Sequence, residues 1–140
     1  MALPTKLQLQ IVSADRSLVN ATVDEVEIPG ADGYFGVLPG HTPLLAVLGA
    51  GELWYRQGQE KQYLAIAFGF AEVLPERVTI LAQIAEKAEE IDLARAEAAK
   101  KRAEERLSRS TVDIDAERAR IALLKSLIRL QVASRARIRS

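Results

Sequence analysis

The chain contains no cysteine and a single histidine, His41, among its 140 residues. The lack of cysteine excludes disulfides, thiolate metal sites and cysteine nucleophiles, and one histidine cannot build a multi-histidine metal cage. No apolar run approaches the roughly 18 residues that a membrane span requires, and the N-terminus does not resemble a secretory signal. We therefore expect a cytoplasmic protein, and its 49% hydrophobic residues are sufficient for a real core.

Glycine and proline are absent from a large part of the chain, because the eight glycines and five prolines all lie at or before Pro75. Before that point, residues 7–11, 25–28 and 64–68 alternate apolar with polar or small side chains. This alternation predicts strands with one buried and one solvent-exposed face. Turn residues separate the strands at a spacing typical of an all-β sandwich or flattened barrel. We predict such a domain over residues 1–85.

The remaining residues, 86–140, are predicted to form an antiparallel two-helix hairpin, so that the fold class is α+β. From about Ala85 the sequence is rich in the helix formers Ala, Glu, Lys and Arg, and Ser108–Asp115 interrupts it with residues that cap or break helices. Small and apolar residues recur at helical spacing on both sides of this break. They are Ala96, Ala99, Ala103 and Leu107 in the first helix, and Ala116, Ala119, Leu123, Leu127 and Leu130 in the second.

This seam of alanines lets the two helices approach closely but buries little apolar area, so we expect the hairpin to be only weakly stable. The second helix also carries Ile121, Leu124 and Ile128 beyond its main stripe. These side chains add more apolar surface than one thin partner helix can cover. We therefore expect either a further partner at this face or movement of the hairpin.

Charge is unevenly distributed, although the net charge is zero. Residues 1–85 carry five basic and nine acidic residues, a net charge of −4, and residues 86–140 carry fourteen and ten, a net charge of +4. From Arg118 onward every charged residue is basic. This pattern predicts a polyanionic or acidic partner for the C-terminus, or simply a solvated helix face. The lack of interleaved aromatic residues argues against nucleic-acid binding.

The segment from Gly30 to Leu45 contains four glycines, two prolines and the only histidine. This high density of glycine and proline predicts an exposed loop of defined shape, which we interpret as a contact surface. Within it, Pro39-Gly40 fits the two central positions of a type II turn. The glycines do not form a phosphate-binding loop, because no G-x-x-x-x-G-K-[ST] motif is present. No acid or nucleophile stands at motif spacing from His41, so we interpret it as a histidine that binds the local backbone.

Together these features resemble those of the epsilon subunits of the bacterial F-type rotary ATP synthases. The resemblance rests on GVLPGHTPLL within the glycine-rich segment, GFAEV at 69–73, VTILA at 78–82 and AEKAEEIDLARA at 85–96, followed by the charged hairpin. It implies a non-catalytic rotor subunit of the central stalk that binds gamma and rests on the ring of c subunits. Such a subunit couples ring rotation to ATP synthesis and restrains ATP hydrolysis. It lies peripherally at the cytoplasmic face of the cell inner membrane, without lipid insertion or nucleic acid.

The resemblance also implies contact residues for two partners. It places the segment from Ala31 to His41 against the c ring, with Asp32, Tyr34 and His41 as contacts. Many relatives carry an acid where this chain has Tyr34, and Asp32 could replace that acid. In the second helix, basic side chains are implied to meet an acidic segment of the beta subunit when the hairpin extends into the catalytic head. These are Arg118, Arg120, Lys125 and Arg129.

A regulatory ATP is the one ligand that the resemblance implies, and no cofactor is required. Residues 91–96 match the ATP-binding motif of some family members, and hairpin register adds further positions. Lys125 stands where tighter binders have arginine, which predicts weaker binding because lysine lacks the bidentate fork. The residues so implied are Glu86, Ile91, Asp92, Arg95, Ala96, Arg102, Lys125 and Arg129.

Simpler interpretations of this motif stay open. Asp92 fits a helix N-cap, and Arg95 fits a local ion pair with Asp92 three residues earlier. Two other classes of function also stay open, a nucleic-acid adaptor that uses the basic helix and an autonomous hydrolase that uses His41. Neither accounts for the glycine-rich segment, the sandwich and the hairpin together.

Overall fold

The computed structural model describes residues 3–109 and 113–139, and the chain divides into two compact units between Lys87 and Ala88. The first unit is built of strands and the second of helices, which confirms the predicted α+β class. Within the described residues the first unit has seven strands. They are β1 (Leu7–Val12), β2 (Ser17–Val23), β3 (Glu25–Gly30), β4 (Gly33–Val37), β5 (Leu44–Gln57), β6 (Glu60–Val73) and β7 (Arg77–Lys87).

These strands form one sheet in the order β2-β1-β7-β6-β5-β3-β4, antiparallel except for the parallel pair β1 and β7. Strand β2 also contacts β5, which is not its neighbour in the sheet. The sheet therefore folds back on itself as a flattened barrel around an aliphatic core. The largest fully buried side chains are Leu7, Leu9, Ile11, Val23, Val26, Ile28, Val37, Leu48, Leu53, Leu64, Ile66 and Ile80.

Two of the three predicted alternations are confirmed. In β1 the apolar residues at 7, 9 and 11 are buried and the glutamines between them are exposed, and in β3 Val26 and Ile28 are buried. The prediction of an exposed face over residues 64–68 of β6 is wrong, because residues 64–67 are all buried. Strand β6 lies in the middle of the sheet, and its alanines are apolar and small enough to be covered on both faces.

The central strand bends at Phe68 and Gly69. Phe68 has a φ of +63° and Gly69 a φ of +119°, and a Cβ atom on Gly69 would lie 2.0 Å from the carbonyl oxygen of Leu81. The larger buried residues before the bend are Leu64 and Ile66, at even positions, whereas the buried residues after it are Ala71 and Val73, at odd positions. Strands that pass from one layer of a sandwich to the other bend in this way.

A charged cluster joins the β2–β3 connection to the turn between β5 and β6. The Asp24 carboxylate accepts a hydrogen bond from Lys6 Nζ, and its Oδ2 accepts one from the Gly58 N–H at 2.6 Å. Arg56 Nε donates to Glu25 Oε1 at 2.9 Å. The hydrogen bonds from Lys6 and from the Gly58 backbone hold the pKa of Asp24 below its ordinary value.

The second unit opens with a 3-10 turn at Ala88–Glu90, followed by helices α1 (Leu93–Arg109) and α2 (Asp113–Arg139). The prediction of helix from about Ala85 is wrong, because β7 continues to Lys87, which is paired with Leu64 of β6. Pairing with a neighbouring strand outweighs the helical propensity of this segment. The predicted break at Ser108–Asp115 includes residues 110–112, which lie outside the described residues.

The alanine seam of the hairpin is confirmed. Ala96, Ala103 and Ala119 are at most 1% exposed, and Ser126 is 3% exposed. The Ser126 hydroxyl donates to the carbonyl of residue 122 at 2.9 Å, so this buried polar group is satisfied within α2. The leucine part of the predicted stripe is wrong at Leu127, which is 45% exposed. Each residue advances about 100° around a helix, so the position after buried Ser126 turns away from the seam.

Candidate interaction surfaces

An exposed apolar row crosses four neighbouring strands on the outer face of the first unit. Val47 of β5 is paired with Phe70 of β6. Phe70 is paired in turn with Leu81 of β7, and Leu81 with Val12 of β1. Val47, Phe70 and Leu81 are 57%, 53% and 52% exposed. Because side chains directly opposite each other on paired strands are in contact range, the four residues form one strip, which we call the outer apolar row.

The next row on the same face combines apolar surface with one charge. It consists of Leu45, Glu72 and Thr79 on β5, β6 and β7, two residues along each strand from the outer apolar row. Leu45 is 72% exposed. One groove of about 320 Å³ lies beside Phe70 and Leu81, and another of about 300 Å³ lies beside Leu45 and Glu72. This face therefore offers a partner both apolar side chains and depressions between them.

The glycine-rich segment is less continuous than a single loop. Residues 33–37 form strand β4, which pairs with β3, so the prediction of one loop from Gly30 to Leu45 is wrong. The predicted turn at Pro39-Gly40 is confirmed. The His41 N–H donates to the Leu38 carbonyl at 3.2 Å, and Gly40 has a φ of +86°, as a type II turn requires.

The predicted c-ring contacts lie at two places along this segment. Asp32, in the turn before β4, is exposed. Tyr34 is 56% exposed, but its hydroxyl accepts a hydrogen bond from the Glu52 N–H at 3.0 Å. A Cβ atom on Gly51 would lie 2.3 Å from that hydroxyl oxygen, so the tyrosine lies closely over this glycine. His41 Nδ1 donates to the carbonyl of residue 42 at 2.6 Å, which confirms its interpretation as a histidine bound to local backbone.

Asp92 caps the start of α1. Its Oδ1 accepts a hydrogen bond from the Arg95 N–H at 3.1 Å, and its carbonyl accepts one from the Ala96 N–H at 3.0 Å. In the described residues Asp92 forms no ion pair with Arg95. Arg95 and Arg102 are both exposed, and they lie about 10 Å apart along the helix axis on similar sides of α1. This side of α1 therefore presents two guanidinium groups.

The other residues predicted to contact a nucleotide differ in their burial and belong to both units. Ile91 and Ala96 are 9% and 0% exposed, so their side chains support packing rather than form a surface. Glu86 lies on β7 in the first unit, whereas Lys125 and Arg129 lie half-buried on α2 in the second. The sequence motif thus combines buried supporting residues with exposed charged ones.

The basic residues at the start of α2 are exposed, and one of them has a local partner. Arg120 Nη2 lies 2.7 Å from Glu117 Oε2, and both side chains are more than half exposed. Such a surface pair contributes little to stability and is easily exchanged. Arg118 forms no ion pair with the residues described around it. Leu124, 43% exposed, adds apolar surface to the same helix.

Residues 3–109 and 113–139 show no candidate metal cluster and no candidate membrane-spanning helix. They contain no group of three or more histidine or acidic side chains arranged to hold a metal ion. Neither of the two helices has the length and apolar character needed to cross a lipid bilayer.

Comparison with known proteins decides the family. Residues 6–88 match the family model described as the ATP synthase delta/epsilon chain, beta-sandwich domain, and residues 89–134 match that of its long alpha-helix domain. The chain belongs to the ATP synthase delta/epsilon family. This finding confirms the family resemblance that the sequence motifs indicated.

Relatives in the delta/epsilon family match along most of the chain. The ATP synthase epsilon chain of Syntrophobacter fumaroxidans is 48% identical over 130 residues, 93% of this chain and 97% of that protein. The epsilon chain of Koribacter versatilis is 53% identical over 103 residues, 74% of this chain and 72% of that protein.

Solved structures of mitochondrial ATP synthases contain similar chains. One in the Euglena gracilis OSCP/F1/c-ring assembly superposes with a TM-score of 0.82 at 28% identity, covering 95% of this chain and 84% of that one. One in the Tetrahymena thermophila central stalk and c-ring has a TM-score of 0.60 at 13% identity, covering 96% and 98%, and shows the shared fold.

Sequence reasoning about this delta/epsilon chain missed the outer apolar row. Phe70 and Leu81 stand inside the motifs GFAEV and VTILA, next to the buried residues Ala71 and Ile80. A strand that is apolar at both odd and even positions is either buried on both faces or has an exposed apolar face. The apolar residues at both odd and even positions were therefore the only sequence feature that pointed to this surface. In the structure, Phe70 and Leu81 lie on an exposed apolar face.

Proposed function

We propose that this chain is a non-catalytic rotor subunit in the central stalk of a proton-driven ATP synthase. It couples rotation of the c ring to ATP synthesis and restrains ATP hydrolysis, at the cytoplasmic face of the cell inner membrane. The observation that carries the proposal is the outer apolar row, a surface suited to permanent attachment. The chain's membership in the delta/epsilon family and its similarity to a chain of a solved F1/c-ring assembly support this place in the complex.

The gamma subunit is the partner that we assign to the outer apolar row. Burying a whole Val, Leu or Phe side chain contributes about 1.5–3 kcal/mol. Val47, Phe70 and Leu81 are each about half exposed, so covering them contributes roughly 2–4 kcal/mol before the entropic cost of association. Contiguous exposed apolar surface of this kind marks protein–protein interfaces. The row also lies on paired strands, which transmit torque better than a mobile loop.

Replacing Phe70 with alanine tests this assignment. We expect Phe70→Ala to weaken binding to the purified gamma subunit by roughly five- to tenfold, from the loss of about 1–1.5 kcal/mol of apolar burial. Calorimetry of full-length chain and gamma measures the change. Leu38→Ala is the matched control, because Leu38 is 57% exposed but lies off the row. Equal affinities of wild type and Phe70→Ala would contradict the assignment.

The c ring is assigned to the turns on either side of β4. Asp32 is the exposed carboxylate there, whereas the Tyr34 hydroxyl is already hydrogen-bonded to the Glu52 N–H. Asp32 is therefore the side chain to which we assign the polar contact with the c ring. The Leu38–His41 turn adds a surface of fixed shape.

The restraint of hydrolysis is assigned to the hairpin. Its seam is made of small residues, and Leu124 and Leu127 are 43% and 45% exposed. Two packings that differ by a few kcal/mol can be exchanged by a partner with unequal affinity for them. In the extended packing, the basic side chains of α2 meet the acidic segment of beta. Truncation after Glu90 is expected to keep gamma binding and raise hydrolysis by the assembled complex; a truncated chain that restrains hydrolysis as well as the full chain contradicts this part.

A regulatory ATP is assigned to the exposed side of α1, where Arg95 and Arg102 can bind phosphate oxygens. Bound ATP favours the folded hairpin. Calorimetric titration of the full chain with ATP is expected to show weak, saturable binding that Arg95→Ala abolishes. Asp92→Asn is the control for the cap, because asparagine also caps helices. If no binding is detected at cellular ATP concentrations, the ATP assignment is wrong and Asp92 acts only as the N-cap of α1.

A further inference from the structure

Glu72 is an isolated charge beside the outer apolar row. It is exposed, and its neighbours across the strands are Leu45 and Thr79. In the part of the chain that the structure describes, Glu72 forms no ion pair. The nearest basic residue by register is Arg77, two residues before Thr79 on β7, and among the described residues it forms no ion pair with Glu72. The carboxylate therefore faces the solvent without a counter-charge.

We propose that Glu72 fixes the register of the gamma subunit on the outer apolar row by binding a lysine or arginine of gamma. This inference rests on the proposed docking of gamma. It specifies the chemistry of the occupant, which presents apolar side chains to Phe70 and its neighbours and one basic side chain to Glu72. The net charge of −4 on residues 1–85 is complementary to a basic residue on gamma.

A directional contact is needed because apolar contacts are not directional. The outer apolar row alone would accept a partner displaced along the strands at little cost, since burial depends on area rather than on angle. Once gamma covers the face, the Glu72 carboxylate loses water, and a register that leaves it without a cation is penalised. Glu72 thus selects one register by disfavouring the others.

The groove beside Glu72 fits a long basic side chain. It has a volume of about 300 Å³, and apart from Glu72 its lining is apolar: Pro43, Leu44, Leu45, Val73 and Leu74. Lysine and arginine bury their aliphatic stems along apolar surface while the charged end reaches a polar partner. A basic side chain of gamma in this groove would pack its aliphatic stem on the apolar lining and bring its charged end to the Glu72 carboxylate.

The test measures the affinity of the full-length chain for purified gamma over a range of salt concentrations. Glu72→Lys is expected to bind at least tenfold more weakly than wild type, since like charges then face each other in a desolvated contact. Glu72→Gln is expected to lose affinity and to depend less steeply on salt. Glu60→Lys, at the other end of β6, changes the net charge equally and is expected to bind as wild type does. A lysine or arginine of gamma changed to glutamate should restore binding to Glu72→Lys.

Different results separate the two proposals. If Glu72→Lys and Glu72→Gln bind with wild-type affinity and salt dependence while Phe70→Ala is weakened, the role of Glu72 is wrong and the docking surface stands. If Phe70→Ala also binds as wild type does, the docking surface itself is wrong. Equal weakening by Glu60→Lys and Glu72→Lys would show an effect of net charge and overturn the specific pair. Thermal unfolding of each variant verifies that the fold is retained.

Discussion

Gly69→Ala is expected to be among the most destabilising single-methyl changes in the first unit. The new methyl group would lie 2.0 Å from the Leu81 carbonyl oxygen and 3.0 Å from the Ala82 Cα atom, at a φ of +119°. Forcing extra atoms into a packed site costs about 1–3 kcal/mol, and a non-glycine residue in such a backbone conformation costs about 1–3 kcal/mol more. The expected loss of roughly 2–6 kcal/mol is a large part of the 5–15 kcal/mol typical of a domain.

Urea unfolding followed by fluorescence of Trp54, the only tryptophan, measures this loss in the first unit. Gly58→Ala is the matched control, since Gly58 also has a positive φ, +62°, but apart from its chain neighbours no atom lies within 4 Å of its added Cβ. We expect the control to cost only about 1–2 kcal/mol. Equal destabilisation by the two variants, or a Gly69→Ala chain as stable as wild type, would refute the account of the β6 bend.

Two further changes test local interactions. Asp92→Ala removes the cap of α1 and should lower hairpin stability by about 1 kcal/mol, whereas Asp92→Asn should retain it, as thermal melting followed by circular dichroism at 222 nm can show. Asp24 has a pKa held below its ordinary value by Lys6 and the Gly58 N–H, so its contribution to stability is present above the unfolded-state pKa and is lost as the pH falls through the lower folded-state pKa. Asp24→Asn should therefore lower stability at neutral pH and reduce the loss of stability on acidification, measured by urea unfolding between about pH 2 and pH 6; an unchanged pH profile would contradict the assignment.

Local sequence patterns correctly predicted those strands and helices that have one buried side and one exposed side. The alternation in β1 and the small residues at Ala96 and Ala103 are determined by which side faces a core, and both are confirmed. The start of α1 was less predictable, because residues 85–87 favour helix locally but pair with β6 in the fold. The bend at Phe68 could not be read from the sequence, since a positive φ at a phenylalanine is set by its packed surroundings.

The candidate surfaces also include features that local sequence predicts and features that it does not. The capping role of Asp92 could be inferred from its position before a helix, and the structure confirms it. The exposure of Phe70 and Leu81 depends on the bend and on the order of the strands, neither of which appears in local periodicity. The isolation of Glu72 depends on cross-strand register. Properties that arise from pairing between distant segments were therefore beyond sequence reasoning.

Cysteine labelling tests the docking of gamma on the outer apolar row without competing thiols, because the chain contains no cysteine. Leu81→Cys places the only thiol on the outer apolar row, at a position that is 52% exposed in wild type, and Gln59→Cys places one in the exposed turn between β5 and β6. The rate of maleimide labelling is measured with and without saturating gamma. We expect gamma to slow labelling at position 81 by an order of magnitude or more and to leave the labelling rate at position 59 unchanged. Equal labelling of position 81 in the free and gamma-bound chain would contradict it.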